Sequence, residues 1–468
     1  MDFAQSKIWK FIQPVTARVG VMLFLVVGLE AVILLYVLGL GYTKLELYDY
    51  QVFERLGINL IDHATFSMEE VSPYSPTLFR SPGYPAYIAL IYSLFGRSLM
   101  VLRISQFVLL WLTAWLLYVL AARFVDFKSA AMASLICATY PPFVFVSALY
   151  VAHSLTLLFA IIIILMLVSL REQLNPRLYG FLFLGLAIGG MTLARPAFQL
   201  VVFPVALATV MWRPERLMKR RLVEATVLAI GFAMVIVPWV IRNNLLSNNM
   251  AGLRVASAGG WSLYTSASQY KDEASYRILK PEWDIVVADF NRRNQEALNV
   301  IPDRRNSDGT LANPYAQAQR ELLVDNGFNR DAFRKIREVT PGQFILSYVA
   351  RFYWLWSTCD LSPWQVGIFH RFLQIYHVLL IGLILLGCFL TRKSLVAQAL
   401  LWMFIIYQSL LHVVYHMEAR YTLEARLFLL IYAGVSIVAI ARYVRQKTFP
   451  VEVASVSAAT VHAEGASS

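Results

Sequence analysis

Cysteine is nearly absent from this chain: 468 residues hold only Cys137, Cys359 and Cys388. Two of the three lie in apolar surroundings and no pair has metal-ligand spacing, so the sequence predicts neither a disulfide framework nor a zinc site. Charge is also scarce. Asp, Glu, Lys and Arg make up 15% of the residues, whereas 58% are hydrophobic. A soluble domain of that composition would leave too much apolar surface in water, which excludes the ordinary soluble classes. Alternation of apolar and polar residues is missing from the long apolar runs, and that excludes a transmembrane β-barrel. No small-residue cleavage site follows the first run, which is therefore expected to be a retained helix and not a removed signal. Internal repeats are missing as well.

What the chain has is length in its apolar runs. About 20 helical residues cross a hydrocarbon core of about 30 Å. Ten such spans are predicted, at roughly 19–42, 98–121, 129–147, 153–170, 178–194, 197–212, 222–241, 369–390, 396–414 and 422–441. The formal net charge of +12 is distributed in step with them. Basic residues cluster at Lys7, Lys10 and Arg18, at Arg123 and Lys128, at Arg171 and Arg177, from Arg213 to Arg221, at Arg392 and Lys393, and from Arg442 to Lys447. With ten spans every cluster falls on one side, the cytoplasmic side by the positive-inside rule, and both termini lie there too. Because the charge is not gathered on one soluble face, nucleic-acid binding is not expected. The predicted fold class is an all-α polytopic membrane protein of about ten transmembrane helices, seated in the plasma (inner) membrane.

Two segments lie outside the spans. The first, 41–96, is an outer loop expected to carry interfacial helices. The second, 243–340, is long enough for a small extracytoplasmic subdomain, helical from Pro314 to Glu338. The expected organisation is thus a membrane module over 1–242, the subdomain over 243–340, a second membrane module over 341–447, and a disordered tail over 448–468 rich in Ala, Ser and Val. The aromatic run 344–356 is shorter than a full span. It is expected to be re-entrant or interfacial, with Trp354, Trp356 and Trp364 at headgroup level. Were it to cross, Arg392 and Lys393 would fall on the wrong side.

The residues that could carry chemistry sit at the outer ends of the spans. Asp49 precedes Phe53, Leu56, Gly57 and Leu60, an i, i+3, i+4, i+7 pattern that predicts a short amphipathic helix. A carboxylate at its start is favoured by the helix dipole, so Asp49 reads either as an N-cap or as a functional acid. The stretch Arg80-Ser-Pro-Gly-Tyr-Pro85 leads into Tyr84, Tyr87, Tyr92 and Phe95 at helical spacing. A structural hairpin accounts for its Pro, Gly and Tyr residues but not for Arg80, which is costly at a membrane edge without an anionic partner. Arg195 precedes Pro196 at a junction of two spans, Arg242 ends another, and Arg420 precedes the last. Taken singly, each of these arginines reads as a snorkelling anchor. Gathered on the side where short loops should be poor in basic residues, Arg80, Arg195, Arg242 and Arg420 would share a partner if that partner were a phosphate, which guanidinium binds as a fork. His153 opens the fourth span. His412 and His416 stand four apart and could share a metal or simply flank a helix end.

These pieces, in this order, resemble the GT-C superfamily, and within it the family 39 glycosyltransferases that use polyprenyl-phosphate sugars, with protein O-mannosyltransferases and the aminoarabinose transferase as relatives. The resemblance is carried by Asp49, Phe53, Leu56-Gly57 and Asn59-Leu60; by Arg80 to Pro85 and then Leu94-Phe95-Gly96; by Leu193 to Pro196; by Pro238 to Asn243; by Gly259 to Tyr264; and by Arg420-Tyr421. It covers most of the chain up to about residue 440 and says nothing of the sugar. One departure stands out: His153 occupies a position where relatives usually carry Glu.

The resemblance implies an inverting glycosyltransferase with its active site on the extracytoplasmic face. Asp49 would be the catalytic base toward an acceptor hydroxyl or amine. Arg80, Arg195, Arg242 and Arg420 would hold the donor phosphate as it leaves. Tyr84, His153, Tyr264, His416, Glu418 and Tyr421 would line the substrates. The implied partners are a polyprenyl-phosphate-linked sugar donor, an extracytoplasmic acceptor (lipid, glycan or protein) and the bilayer. No metal ligands are assigned, and a divalent cation is left open. A lipid-linked glycan flippase or transporter, and a glycan ligase or polymerase, are the alternatives. The transporter class usually shows polar or broken helices at the midplane and internal pseudo-symmetry, neither of which is found here.

Overall fold

A computed structural model describes residues 2–39, 48–211, 216–268, 283–307, 310–357, 367–394, 398–415 and 419–448. Among these, the regular structure is helical. The apolar helices of the first half are α1 (Asp2–Gly39), α4 (Leu99–Ala121), α5 (Phe127–Thr139), α6 (Pro141–Ala148), α7 (His153–Glu172), α8 (Leu178–Ala194), α9 (Val202–Met211) and α10 (Met218–Leu246). Between α1 and α4 lie α2 (Tyr48–His63) and α3 (Gly83–Phe95). The chain continues through α11 (Gly259–Ser268), α12 (Trp283–Val300), α13 (Ala316–Arg337) and α14 (Pro341–Ser357), and then α15 (Gly367–Leu390), α16 (Ala399–Val414) and α17 (Leu423–Thr448).

The described parts of the predicted spans are helical, with 197–201 forming a 3-10 segment ahead of α9. By length and apolarity, six described segments suffice to cross a membrane, within α1, α4, α7, α10, α15 and α17. Gly83–Phe95, Leu178–Ala194, Pro196–Met211 and Ala399–Val414 are apolar but shorter. The predicted span 129–147 is a broken one: α5 and α6 meet at a 45° bend. The cause is local, because Pro141 and Pro142 open α6 at the positions where a missing N–H costs nothing, yet neither can extend α5.

The bundle has two chemically distinct ends. At one end Arg123 donates to Ser169 and Glu172 at the close of α7, and Arg442, late in α17, pairs with Asp126. The Arg216–Arg221 stretch before and within α10 belongs here too, with Arg216 and Arg220 held on buried Glu224. At the other end the starts of α7 and α17 meet. Between the ends α17 forms the centre, buried from Leu423 through Gly434 and packed on α5, α7 and α15. α8 and α10 approach backbone to backbone: a Cβ on Gly185 would lie 2.0 Å from the Leu228 carbonyl oxygen, and one on Gly231 2.2 Å from that of Leu182. Small residues are what permit such close helix packing within a membrane.

α11, α12 and α13 form a small helical unit around Trp261, Phe290 and Phe328. The predicted helix 314–338 is α13. Asp325 of α13 accepts from the Gly260 and Trp261 amides at 2.6 and 3.4 Å and so caps α11. This unit is tied down twice. Glu321 accepts from the Thr77 hydroxyl and the Leu78 amide, both at 2.6 Å, which fixes the segment between α2 and α3. Arg351 of α14, fully buried, donates to Ser266 and to the Val413 carbonyl, and Ser266 donates to the Val414 carbonyl. α14, the run expected to be re-entrant or interfacial, exposes Ile345, Leu346, Val349, Phe352 and Tyr353 and buries Ser347, Arg351 and Leu355. Its 17 residues fall short of the roughly 20 of a full crossing.

Candidate active site

The predicted amphipathic helix of the first loop is α2, with Val52, Leu56 and Phe66 forming its own small core together with Trp239. Asp49 is its second residue, and the Asp49 side chain lies outside the described residues. Phe53 stands one turn further along. Arg80 lies over that ring, 5.5 Å from its centroid, and over Phe79 at 4.5 Å. Arg80 thus packs on the same helix that Asp49 opens, against the residue one turn after it.

The Arg80 segment reaches the Arg195 segment by direct backbone contact. A Cβ on Gly83 would sit 2.4 Å from the Ala194 nitrogen and 2.7 Å from the Leu193 oxygen. Only glycine lets α3 begin there. The two motifs, separated by more than a hundred positions in sequence, meet at the same end of the bundle.

Between α8 and Pro196, the Arg195 side chain enters a largely buried ionic centre. Its Nη1 donates to Glu424 Oε1 at 3.3 Å and lies 3.4 Å from His153 Nδ1, while its carbon centre is 4.5 Å from the Tyr421 ring centroid. Glu424 is fully buried and accepts from Thr156 Oγ1 at 2.5 Å, from His153 Nδ1 at 3.2 Å and from Gln408 Nε2 at 2.6 Å. Gln408 Nε2 also donates to the Tyr421 carbonyl at 2.6 Å. Arg420 lies 5.3 Å from the Tyr421 ring, and the buried His412 stacks on that same ring with centroids 4.9 Å apart. Burying a carboxylate is tolerable only with this degree of pairing.

Of the expected site residues, His153, Arg195, Arg420 and Tyr421 are thus gathered in one place, with Arg80 brought to it through Gly83. Arg242 is elsewhere engaged. It donates to the Thr77 carbonyl at 3.1 Å and to Asn243, and lies over Trp239 at 4.3 Å, facing Glu321 across the Thr77 segment. Tyr84 is buried, with its hydroxyl donating to Gln106 at 3.0 Å. Tyr264 packs within the α11–α13 unit against Phe328, with Lys335 over its ring at 4.4 Å. His416 and Glu418 lie outside the described residues, and with them the proposed His412–His416 pair. Among the described residues no group of three or more His, Cys, Asp or Glu is close enough to hold a metal.

Glu424 was not expected. Its signal was available: a carboxylate inside a span is by default a functional residue, and this one stands four residues after Arg420. Gln408 and Thr156 could not have been found without it, since they are polar residues of apolar helices that become meaningful only as its partners.

Fold and site together define a polytopic helical membrane protein with an arginine-rich, carboxylate-anchored centre at one end. Residues 79–241 match the family model described as dolichyl-phosphate-mannose-protein mannosyltransferase, which bears out the resemblance to GT-C membrane glycosyltransferases. The matched region contains Arg80, Tyr84, His153 and Arg195. No curated protein matches the sequence significantly. Among solved structures, ArnT from Cupriavidus metallidurans bound to undecaprenyl phosphate is similar at 14% identity and TM-score 0.37, over 83% of this chain and 73% of that one. The oligosaccharyltransferase AglB from Archaeoglobus fulgidus, in complex with an inhibitory peptide and a dolichol-phosphate, is similar at 14% identity and TM-score 0.46 over 86% of this chain. The matched region spans about half of AglB, 48% of its length.

Proposed function

We propose that this chain is an inverting glycosyltransferase that moves a sugar from a polyprenyl-phosphate carrier to an acceptor on the extracytoplasmic side of the plasma membrane. The observation that carries the reading is the state of Arg195. Its guanidinium is fixed through Nη1 and by Tyr421, while Nη2 and Nε take no partner among the described residues. Three N–H donors are left in a fixed plane. A phosphate is the ligand whose geometry uses them.

In this reading Asp49 takes the proton from the acceptor as the acceptor attacks the anomeric carbon from one face. The polyprenyl phosphate departs from the other face, so the configuration inverts. Arg80, Arg195 and Arg420 neutralise the charge that develops on the leaving phosphate, which is the largest catalytic contribution such a site can make. Arg242 acts one layer back by holding the Thr77 segment that precedes Arg80. His153 and Tyr421 border the donor. Tyr84 supports the start of α3, and Tyr264, His416 and Glu418 belong to the acceptor side. The basic clusters at the opposite end of the bundle support an extracytoplasmic site through the positive-inside rule. The α11–α13 unit stands beside the site, where an acceptor would approach. The prenyl tail would lie along the apolar helix surfaces in the bilayer.

The test is transfer from radiolabelled polyprenyl-phosphate sugars to envelope material in membrane vesicles. Asp49→Asn is expected to reduce transfer by at least about 100-fold, the lower range for a lost general base. Undiminished transfer by that variant would remove Asp49 as the base.

A further inference from the structure

Glu424 belongs to none of the motifs that led to the site, yet it has the most complete set of partners there. Oε1 receives Thr156, His153 and Arg195, and Oε2 receives Gln408. These donors come from the first turn of α7, from the residue that follows α8, and from α16. All can donate, the set that suits an ionised carboxylate. An ion pair that served packing alone would join Arg195 and Glu424 side to side, two N–H groups to two oxygens, since that is the strongest form available to arginine and carboxylate. Here the contact is by a single corner. Oε2 is turned away to Gln408, and only Nη1 of Arg195 is used. Thr156 and Gln408 hold the carboxylate in an orientation that leaves the Nη2 and Nε edge of Arg195 without a partner among the described residues.

We propose that Glu424 is a positioning residue: it holds Arg195 by Nη1 so that the Nη2 and Nε edge is presented to the phosphate of the lipid-linked donor. The proposal rests on the donor reading above. Without Glu424 the long Arg195 side chain can turn toward the membrane surface, as arginines near helix ends do, and the phosphate must then bear the ordering of the guanidinium itself. Preorganisation of this kind raises affinity for the ligand that uses the edge and leaves other contacts unaffected. The tail-binding surface is not involved, so the effect is confined to ligands that carry a phosphate.

The experiment compares binding of a polyprenyl phosphate with binding of the uncharged polyprenol of the same length, using the full chain in lipid nanodiscs. The wild type is expected to prefer the phosphate. Glu424→Gln should weaken phosphate binding about tenfold, equivalent to about 1.4 kcal/mol, and leave polyprenol binding unchanged. Arg195→Ala should give a similar selective loss, and the double variant should be no worse than Arg195→Ala alone, because both remove one interaction. Gln408→Leu, which releases Oε2 while keeping the Glu424 charge, provides a second route if Glu424→Gln does not fold. It should give a smaller loss with the same selectivity. Equal loss for both lipids, unchanged or tighter phosphate binding, or additivity with Arg195→Ala overturns the positioning role. A wild type that binds both lipids alike overturns the donor reading, and this proposal with it.

Discussion

Gly83 rests on the backbone of Ala194, with space for a hydrogen but not for a methyl group: a Cβ there would stand 2.4 Å from the Ala194 nitrogen. This contact sets how far Arg80, three residues before Gly83, stands from Arg195, one residue after Ala194. Gly83→Ala must push α3 and α8 apart, because the obstructing atoms are main chain and cannot rotate away. The cost is expected to be about 1–3 kcal/mol of stability, as for overpacking elsewhere. Transfer activity should fall further than the stability loss explains. Thermal unfolding in detergent and transfer rates measured on the folded fraction check this. A variant with full activity per folded molecule would separate the two motifs functionally.

Glu321 joins the α11–α13 unit to the Thr77–Leu78 segment through two short hydrogen bonds. Glu321→Gln replaces one strong acceptor by a donor and leaves either the hydroxyl or the amide poorly served, at about 1–3 kcal/mol. Hydrogen exchange of the backbone amides around Leu78 should accelerate relative to wild type, whereas amides in the middle of α7 should not change.

The Asp325 carboxyl is pushed up to about 6, first by burial, with the Gly260 and Trp261 amides and Arg254 opposing the rise. The folded state therefore holds its proton more tightly than the unfolded chain. The resulting stabilisation is complete below the unfolded value near 4 and is lost as pH rises through about 6. Asp325→Asn removes this dependence. The difference in stability between wild type and variant is expected to move against the wild type between about pH 4 and pH 7, by on the order of 2 kcal/mol. Unfolding midpoints at several pH values would show it, and parallel profiles for the two proteins would contradict it.

Arg80→Leu keeps an apolar contact with Phe53 and Phe79 but removes the guanidinium. Folding should be near wild type, and the KM for donor should rise while polyprenol binding is retained. A loss confined to stability would place Arg80 among the anchors and not in the site.

Much of this was legible from local pattern. The i, i+3, i+4, i+7 spacing after Asp49 gave α2, and the positions of Arg195 and Arg420 at span ends gave the end of the bundle where they meet. The family motifs marked Gly83, though spacing alone could not show that it touches Ala194. What local pattern could not give was partnership across the chain. Glu424 and His153 are 271 positions apart, so a carboxylate in the first turn of a span marks itself as functional but does not name its partners until the facing helices are in place. Arg242 looked equivalent to Arg195 because both end apolar spans. The difference lies in what surrounds them: a carbonyl and an indole for Arg242, and for Arg195 an edge that no described residue takes up. The break between α5 and α6 was written plainly in Pro141-Pro142, but hydropathy averaged across it.

The helix at the middle of this bundle is also the one the ribosome makes last among the described elements. α17 contributes Leu423, Phe428, Tyr432 and their neighbours to the interior, and its Arg426 joins Tyr140 at the α5–α6 bend to the Leu355 carbonyl of α14. Until those 26 residues insert, earlier helices must wait in the bilayer with polar groups such as Thr156 and Gln408 facing lipid or one another. Biogenesis should therefore be sensitive to membrane chaperones and to the rate of translation through α17, and a chain that stops short of α17 should be degraded as readily as a much shorter one.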